Sequence, residues 1–199
     1  MRNFFAGVLI VFTASLASCS SSLLGSSEVE SSQIEPPQAE AFSQSVSFAP
    51  LESRDEAEIS EAILSVASLA DRGAFEGIVP LFAEEVVVDY TSLGADVVET
   101  HTPESLTTSW AGVLPRFDQT YHNLSDIQVS VDGGQANATA DVVADHFLGD
   151  SFWQVSGQYE YRFTKLSDQW QITHMTFNLI DEAGDRTLLE QASERSTAS

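Results

Sequence analysis

The chain has 199 residues, with 30 acidic against 8 basic side chains and a formal net charge of -22. A surface this acidic repels phosphate backbones and so excludes nucleic acid as a partner, and the length suits one medium domain with extensions. The single cysteine rules out an intramolecular disulfide and a Cys-based metal cluster.

Residues 1–19, MRNFFAGVLIVFTASLASC, have a basic start at Arg2, an apolar run from Phe4 to Leu16 and then small residues. That run falls short of the roughly 20 apolar residues of a membrane-spanning helix and matches the core of a secretory signal. Its end, Leu16-Ala17-Ser18-Cys19, resembles a bacterial lipobox, in which the cysteine becomes the lipidated first residue; the alternative is a plain signal peptide with a chance cysteine. Acylation of Cys19 implies a protein held on a membrane surface through its lipid, because more than one acyl chain makes anchoring stable. Ser20 carries no inner-membrane retention signal, which points to the outer membrane and to a domain facing the periplasm or the exterior. Residues 20–52 are rich in Ser, Glu and Gln and include Pro36-Pro37, a composition too poor in apolar groups to offset its ordering entropy. They are expected to form a flexible tether.

Residues 53–182 carry the expected fold, followed by a C-terminal tail over 183–199. From Glu56 to Leu69 and just beyond, Ile59, Ala62, Ile63, Val66 and Ala70 recur at helical spacing, giving one apolar face. Asp71-Arg72-Gly73 breaks the pattern. A second short helix is expected over Phe75–Phe82, distorted by Pro80. Val86-Val87-Val88-Asp89-Tyr90 is β-branched and short, the mark of a strand. Thr102-Pro103-Glu104-Ser105 opens another helix, with Thr102 as N-cap and Pro103 in the first helical position, and Pro115 is expected to end it.

Thereafter the periodicity changes to two. Ile127, Val129 and Val131 alternate up to the hairpin signal Asp132-Gly133-Gly134. The return strand places Ala136, Ala138, Ala140, Val142, Ala144 and His146 in one row. Two further strands are expected: Gly157–Leu166, with Tyr159, Tyr161 and Phe163 on a shared face, and Trp170–Leu179, joined by Ser167-Asp168-Gln169. Helices followed by consecutive long strands indicate an α+β domain, with helices packed on one face of a strongly curved, mostly antiparallel sheet.

The stretches "ADRGAFEGIVPLFAEEVVVDYTS", "QTYHNLSDIQVSVDGGQANATADVVADH" and "GQYEYRFTKLSDQWQIT" occur in the order and spacing of a known family. Over about residues 55–180 the chain resembles the nuclear transport factor 2-like superfamily, and within it the SnoaL-like and scytalone dehydratase-like branch. The resemblance implies a cone-shaped α+β barrel enclosing a deep, mostly apolar pocket, and assembly into dimers or trimers. It also assigns residues. Tyr90 matches the tyrosine that positions a substrate carbonyl; Asp71 matches the aspartate supporting a histidine; His122 matches the histidine of a Thr-x-His element; and His146 matches a second histidine on the next strand. Where the family enzyme has another pocket tyrosine this chain has Ala70, and its serine and asparagine correspond to Gly157 and Tyr159.

A histidine titrates near neutral pH, and a carboxylate on its second nitrogen fixes the tautomer and raises its basicity. Asp71, His122 and His146 are thus the candidate catalytic residues, with Tyr90, Tyr159 and Tyr161 as candidate substrate-binding residues. Each also has a structural reading: Asp71 as a helix cap, the two histidines as separate structural residues, the tyrosines as core aromatics. Trp110, Trp153 and Trp170 are read as packing residues and His101 as a solvated loop residue, while His174 shares parity with Trp170 and Ile172 and is expected to reach the core. The spacing gives no metal-ligand motif, phosphate loop or dinucleotide fingerprint.

Two functions follow. One is a cofactor-independent dehydratase or isomerase acting on a small apolar carbonyl compound, with His122 as base, Asp71 orienting it, and His146 and Tyr90 binding the oxygen. The other is a lipoprotein module that holds an apolar ligand or a protein partner without chemistry.

Overall fold

The structure, a computed structural model, describes residues 54–195. Cys19, the signal segment and the tether lie outside these residues. Among the described residues no helix is long and apolar enough to cross a membrane.

Helix α1 (Arg54–Asp71) begins with the acidic first turn Asp55-Glu56, which complements the positive end of the helix dipole. It buries Ile59, Ala62, Ile63, Val66 and Ala70, the face expected from spacing. Its termination decides the site. The amide of Ala74 donates to the carbonyl of Leu69 and that of Gly73 to Ala70, with Gly73 left-handed at φ +66. This backbone closure satisfies the Leu69 and Ala70 carbonyls and turns the chain directly after Asp71.

The expected helix over Phe75–Phe82 is instead two single 3-10 turns, Phe75–Gly77 and Val79–Leu81, since Pro80 has no amide to continue a helix. Strand β1 (Phe82–Asp89) therefore starts earlier than the β-branched run. A short strand that the sequence did not reveal, β2 (Glu99–His101), pairs antiparallel with β1. Helix α2 (Pro103–Ala111) has Thr102 as N-cap, its hydroxyl accepting from the Ser105 amide at 3.3 Å. It ends at Ala111, with Pro115 in a later 3-10 turn, Leu114–Arg116, and not at the helix end expected for it.

Four long strands follow: β3 (Gln119–Asp132), β4 (Gln135–Leu148), β5 (Ser151–Leu166) and β6 (Gln169–Gly184). The sheet order is β2-β1-β6-β5-β4-β3. Only the β1–β6 pair is parallel, so the sheet is mostly antiparallel as expected. The boundary expected at residue 182 falls inside β6, and the segment expected as a tail contains helix α3 (Leu188–Glu194), which buries Leu188 and Ala192.

Bulges curve the sheet, because an extra residue in one strand bends it and increases its twist. In β3 the register passes from Ser125↔Asp141 to Gln128↔Thr139, with Asp126 at φ 50. In β6, Thr173 is the extra residue between Ile172 and His174, and Ile180 the extra residue between Leu179 and Asp181. Each bulge reverses which parity faces inward. His174 consequently turns away from the row of Trp170 and Ile172, where its parity had placed it, and Met175 and Phe177 take the buried positions.

Two clusters of buried side chains form the core. The larger joins α1 to the β1, β4, β5 and β6 residues Val86, Ala138, Phe163 and Ile172. The smaller gathers Phe117, Val142, Trp153, Phe177 and the α3 residues Leu188 and Ala192. Tyr90, Leu124 and Tyr159 touch both. At Gly157 a Cβ would lie 2.3 Å from the Asn178 carbonyl oxygen and 2.7 Å from the Phe177 ring, so the position matched to a family serine has no room for a side chain here.

Candidate functional site

Between the two clusters lies a cavity of about 440 Å³, inside the usual range for small-molecule sites. Most of its wall is aliphatic or aromatic, including Val88, Ala144, Met175 and Phe177. Five of the six residues singled out by sequence supply polar groups to it: His122, His146, Tyr90, Tyr159 and Tyr161 all line it. Asp71 stands behind His122.

The sixth, Asp71, is the anchor. Its Oδ1 accepts from the Thr120 hydroxyl at 3.0 Å and lies 2.7 Å from His122 Nδ1, while its Oδ2 accepts from the His122 amide at 2.8 Å. The reading of Asp71 as a cap for the helix that follows is therefore replaced: the turn at Phe75 has Ala74 at its N-cap with no side-chain bond, and the Asp71 carboxylate crosses to β3. Burial alone would raise the Asp71 pKa, but the side-chain and backbone hydrogen bonds from His122 outweigh it and hold the carboxyl below its ordinary value. An ionised carboxylate only accepts, so Nδ1 carries a proton, and in the neutral ring Nε2 keeps its lone pair.

Thr120, His122 and Leu124 point inward at even positions, whereas Ile127, Val129 and Val131 do so at odd ones. The bulge at Asp126 joins the two parities. Both halves of β3 can thus face the core, and His122 reaches the cavity without disturbing the apolar row beyond it.

His146 ends the inward row of β4, as its parity implied, and is 5 % exposed. Its ring packs 4.7 Å from Trp153, 5.0 Å from Phe117 and 5.6 Å, edge to face, from His122. Among the described residues its Nδ1 has no hydrogen-bond partner. Burial, then the neighbouring His122, pushes its pKa down to about 4, so it is neutral at physiological pH.

The three tyrosines form one group. Asp89 accepts from the Thr91 amide at 2.9 Å and hydroxyl at 2.6 Å, a turn that leaves Tyr90 beyond the strand and directed into the cavity. The Tyr159 ring lies 5.6 Å from Tyr161 and 5.0 Å from Phe177. Burial raises all three phenols, Tyr159 to about 12 and the others well above their ordinary value, with Tyr159 adding to the effect at Tyr90 and Tyr161. They remain neutral hydrogen-bond donors throughout the physiological range.

Sequence reasoning missed part of the wall. His101, expected to be solvated, lines the cavity with Glu99. Trp110 and Trp153, read as packing residues, line it too, and Trp153 Nε1 also donates to Glu182 at 2.5 Å. Trp170 packs as expected, donating to Asp55 at 2.9 Å. Arg186 and Leu189 close the wall from the segment after β6; Arg186 is bound to Glu182 at 2.9 Å and to the Leu93 carbonyl.

A curved sheet with helices on one face and a cavity of this kind defines an α+β cone with an interior pocket. More narrowly, residues 51–176 match the SnoaL-like domain family, and the chain belongs to it. Among solved structures it is similar to the Kfla4162 protein of Kribbella flavida, with 22% identity over 69% of this chain and 97% of that one and a TM-score of 0.64. It is also similar to a protein described as a putative scytalone dehydratase from Novosphingobium aromaticivorans, with 20% identity over 66% and 88% of the two chains and a TM-score of 0.59. A third is the hexachlorocyclohexane dehydrochlorinase LinA-type3 of Novosphingobium barchaimii, with 13% identity over 66% and 90% and a TM-score of 0.55. These likenesses establish the fold. No curated protein matches the chain.

The state of His146 makes stability depend on pH. The unfolded chain gains the His146 proton as pH falls through about 6.5, whereas the native chain gains it only near about 4. Stability is therefore lost on acidification across that window, by about 2 kcal/mol at pH ~5. In His146→Phe, whose ring suits the pocket between Phe117 and Trp153, urea unfolding compared at pH ~7.5 and pH ~5 should show that component of the loss removed.

Proposed function

We propose that the protein is a cofactor-independent lyase or isomerase that moves a proton on a small, largely apolar carbonyl compound. The observation that carries this reading is the 2.7 Å contact between His122 Nδ1 and Asp71 at the wall of the cavity. With Nδ1–H given to the carboxylate, Nε2 is the base that removes a proton from the carbon next to the carbonyl. Asp71 orients the ring and stabilises the imidazolium that forms. The developing enolate oxygen needs donors that stay protonated, and the Tyr90 phenol, with Tyr159 and Tyr161 beside it, supplies them. His146, neutral and partly unpartnered, lies close enough to His122 to share in holding that oxygen.

The same apolar wall suits a second reading, a module that holds an apolar ligand without chemistry. The two part at His122. The enzyme reading expects His122→Ala to slow solvent deuterium exchange at the α-carbon of a ketone probe by about a hundred- to ten-thousand-fold, with a smaller loss in Asp71→Asn, followed by NMR in deuterium oxide. The binding reading expects a ligand retained on purification and unchanged binding in His122→Gln. Exchange unaffected by His122→Ala overturns the enzyme reading.

The chain is further proposed to be lipid-anchored at Cys19, on the strength of the Leu16-Ala17-Ser18-Cys19 motif after an apolar signal core. It would stand on the outer membrane, as a dimer or trimer. Cys19→Ala should move the protein from the membrane to the soluble fraction of lysed cells; an unchanged distribution contradicts the anchor.

A further inference from the structure

The wall of the cavity is thin at the connection from β1 to β2. There Tyr90, Leu93, Ala95 and Val97 all line the cavity. Val97 is also 59 % exposed, so a single side chain separates the interior from solvent. The connection begins with a 3-10 turn, Thr91–Leu93. The Ala95 amide still donates to the Tyr90 carbonyl, at 3.2 Å, but no hydrogen bond among the described residues holds Asp96 or Val97.

Two ties from elsewhere in the fold hold this loop. In the first, the Ser92 hydroxyl donates to the Phe177 carbonyl of β6 and accepts from the Leu179 amide at 3.1 Å. The second comes from the segment after β6. The Arg186 guanidinium donates through Nη2 to the Leu93 carbonyl and through Nη1 to Glu182 at 2.9 Å, and Glu182 is held in turn by the Trp153 indole. Two left-handed glycines admit the arrangement. At Gly184, φ +81, a Cβ would run into the Phe152 carbonyl, and the following amide, that of Asp185, donates to the same carbonyl at 2.9 Å. At Gly94, φ +95, a Cβ would stand 3.3 Å from Arg186 Nη2, so the guanidinium lies against bare backbone.

The second tie is a weak one. The side chains of Arg186 and Glu182 are 43 % and 27 % exposed, and an ion pair this open to water contributes little and is screened by salt. It biases the loop without locking it. Both residues lie beyond residues 51–176, the part of the chain that matches the SnoaL-like family.

We propose that residues 91–97 are the gate of the cavity and that Arg186, set in place by Glu182, is its latch. An apolar ligand enters and leaves when the guanidinium lets go of the Leu93 carbonyl and the loop swings out from β6. The gate serves either function proposed above and gives His122 no part. Because the latch grips the loop and not the ligand, releasing it changes entry and exit together and the affinity little.

The test makes two measurements on the full chain. Without ligand, hydrogen exchange read by NMR follows the Leu179 amide, whose acceptor Ser92 moves with the loop. Arg186→Gln and Glu182→Gln are each expected to speed that exchange about three- to tenfold, with the β5 amides unchanged. With prodan, an uncharged naphthyl ketone whose emission shifts on burial, stopped flow is expected to show association and dissociation faster by a similar factor in both variants. Arg186→Lys is expected to recover part of the wild-type slowness, since it keeps the charge but loses the two-armed fork. Added salt is expected to speed the wild type and leave Arg186→Gln unaffected. Leu179 exchange unchanged in both variants overturns the latch, whether or not prodan enters. Exchange raised equally across β5 reports lost overall stability and also overturns it. A variant from which prodan only leaves faster makes Arg186 a wall contact to the ligand, and that too overturns the latch.

Discussion

The arrangement of the site depends on one carboxylate. Asp71 is the last residue of α1, yet it accepts hydrogen bonds from the hydroxyl of Thr120 and from both the amide and the ring of His122. A single side chain thereby fixes the end of the first helix to the start of the longest antiparallel run. It also sets the direction of the His122 ring. Burying a carboxylate is costly unless its oxygens are satisfied, and here three donors do so. The left-handed Gly73 closes the helix with backbone bonds directly after Asp71, and the carboxylate is turned to its three donors.

Around that anchor the cavity sorts its titratable groups by environment. His146, enclosed by Trp153 and Phe117, is held neutral. The phenols of Tyr90, Tyr159 and Tyr161 are held protonated by burial. Asp71 is held charged by its donors. A histidine base beside permanent donors and an ionised orienting group is the division of labour that proton abstraction next to a carbonyl requires. The net charge of -22 takes no part in this, since the cavity wall is mostly apolar.

Much of the frame was legible in the sequence because its signals are local. The apolar face of α1, the Thr102 cap, the Asp132-Gly133-Gly134 hairpin and the inward row from Ala136 to His146 each follow from spacing over a few residues. The resemblance to the SnoaL-like family added the tie between Asp71 and His122, which lie far apart in the chain. The bulges were not legible. Asp126, Thr173 and Ile180 each insert one residue and invert the parity that follows, so counting by twos carried His174 to the wrong face. Strand β2 has only three residues, too few for a periodic signal, and His101 was read as a loop residue. Arg186 and Leu189 belong to the wall through tertiary closure, which local composition does not encode.

The measurement closest to the central claim is the protonation pattern of the His122 ring, read by long-range nitrogen–proton NMR correlations on the labelled chain near neutral pH. The account predicts a proton on Nδ1 and none on Nε2 in the wild-type protein, with that preference weakened in Asp71→Asn. A ring protonated on Nε2 alone, or one indifferent to the loss of the carboxylate, would contradict it.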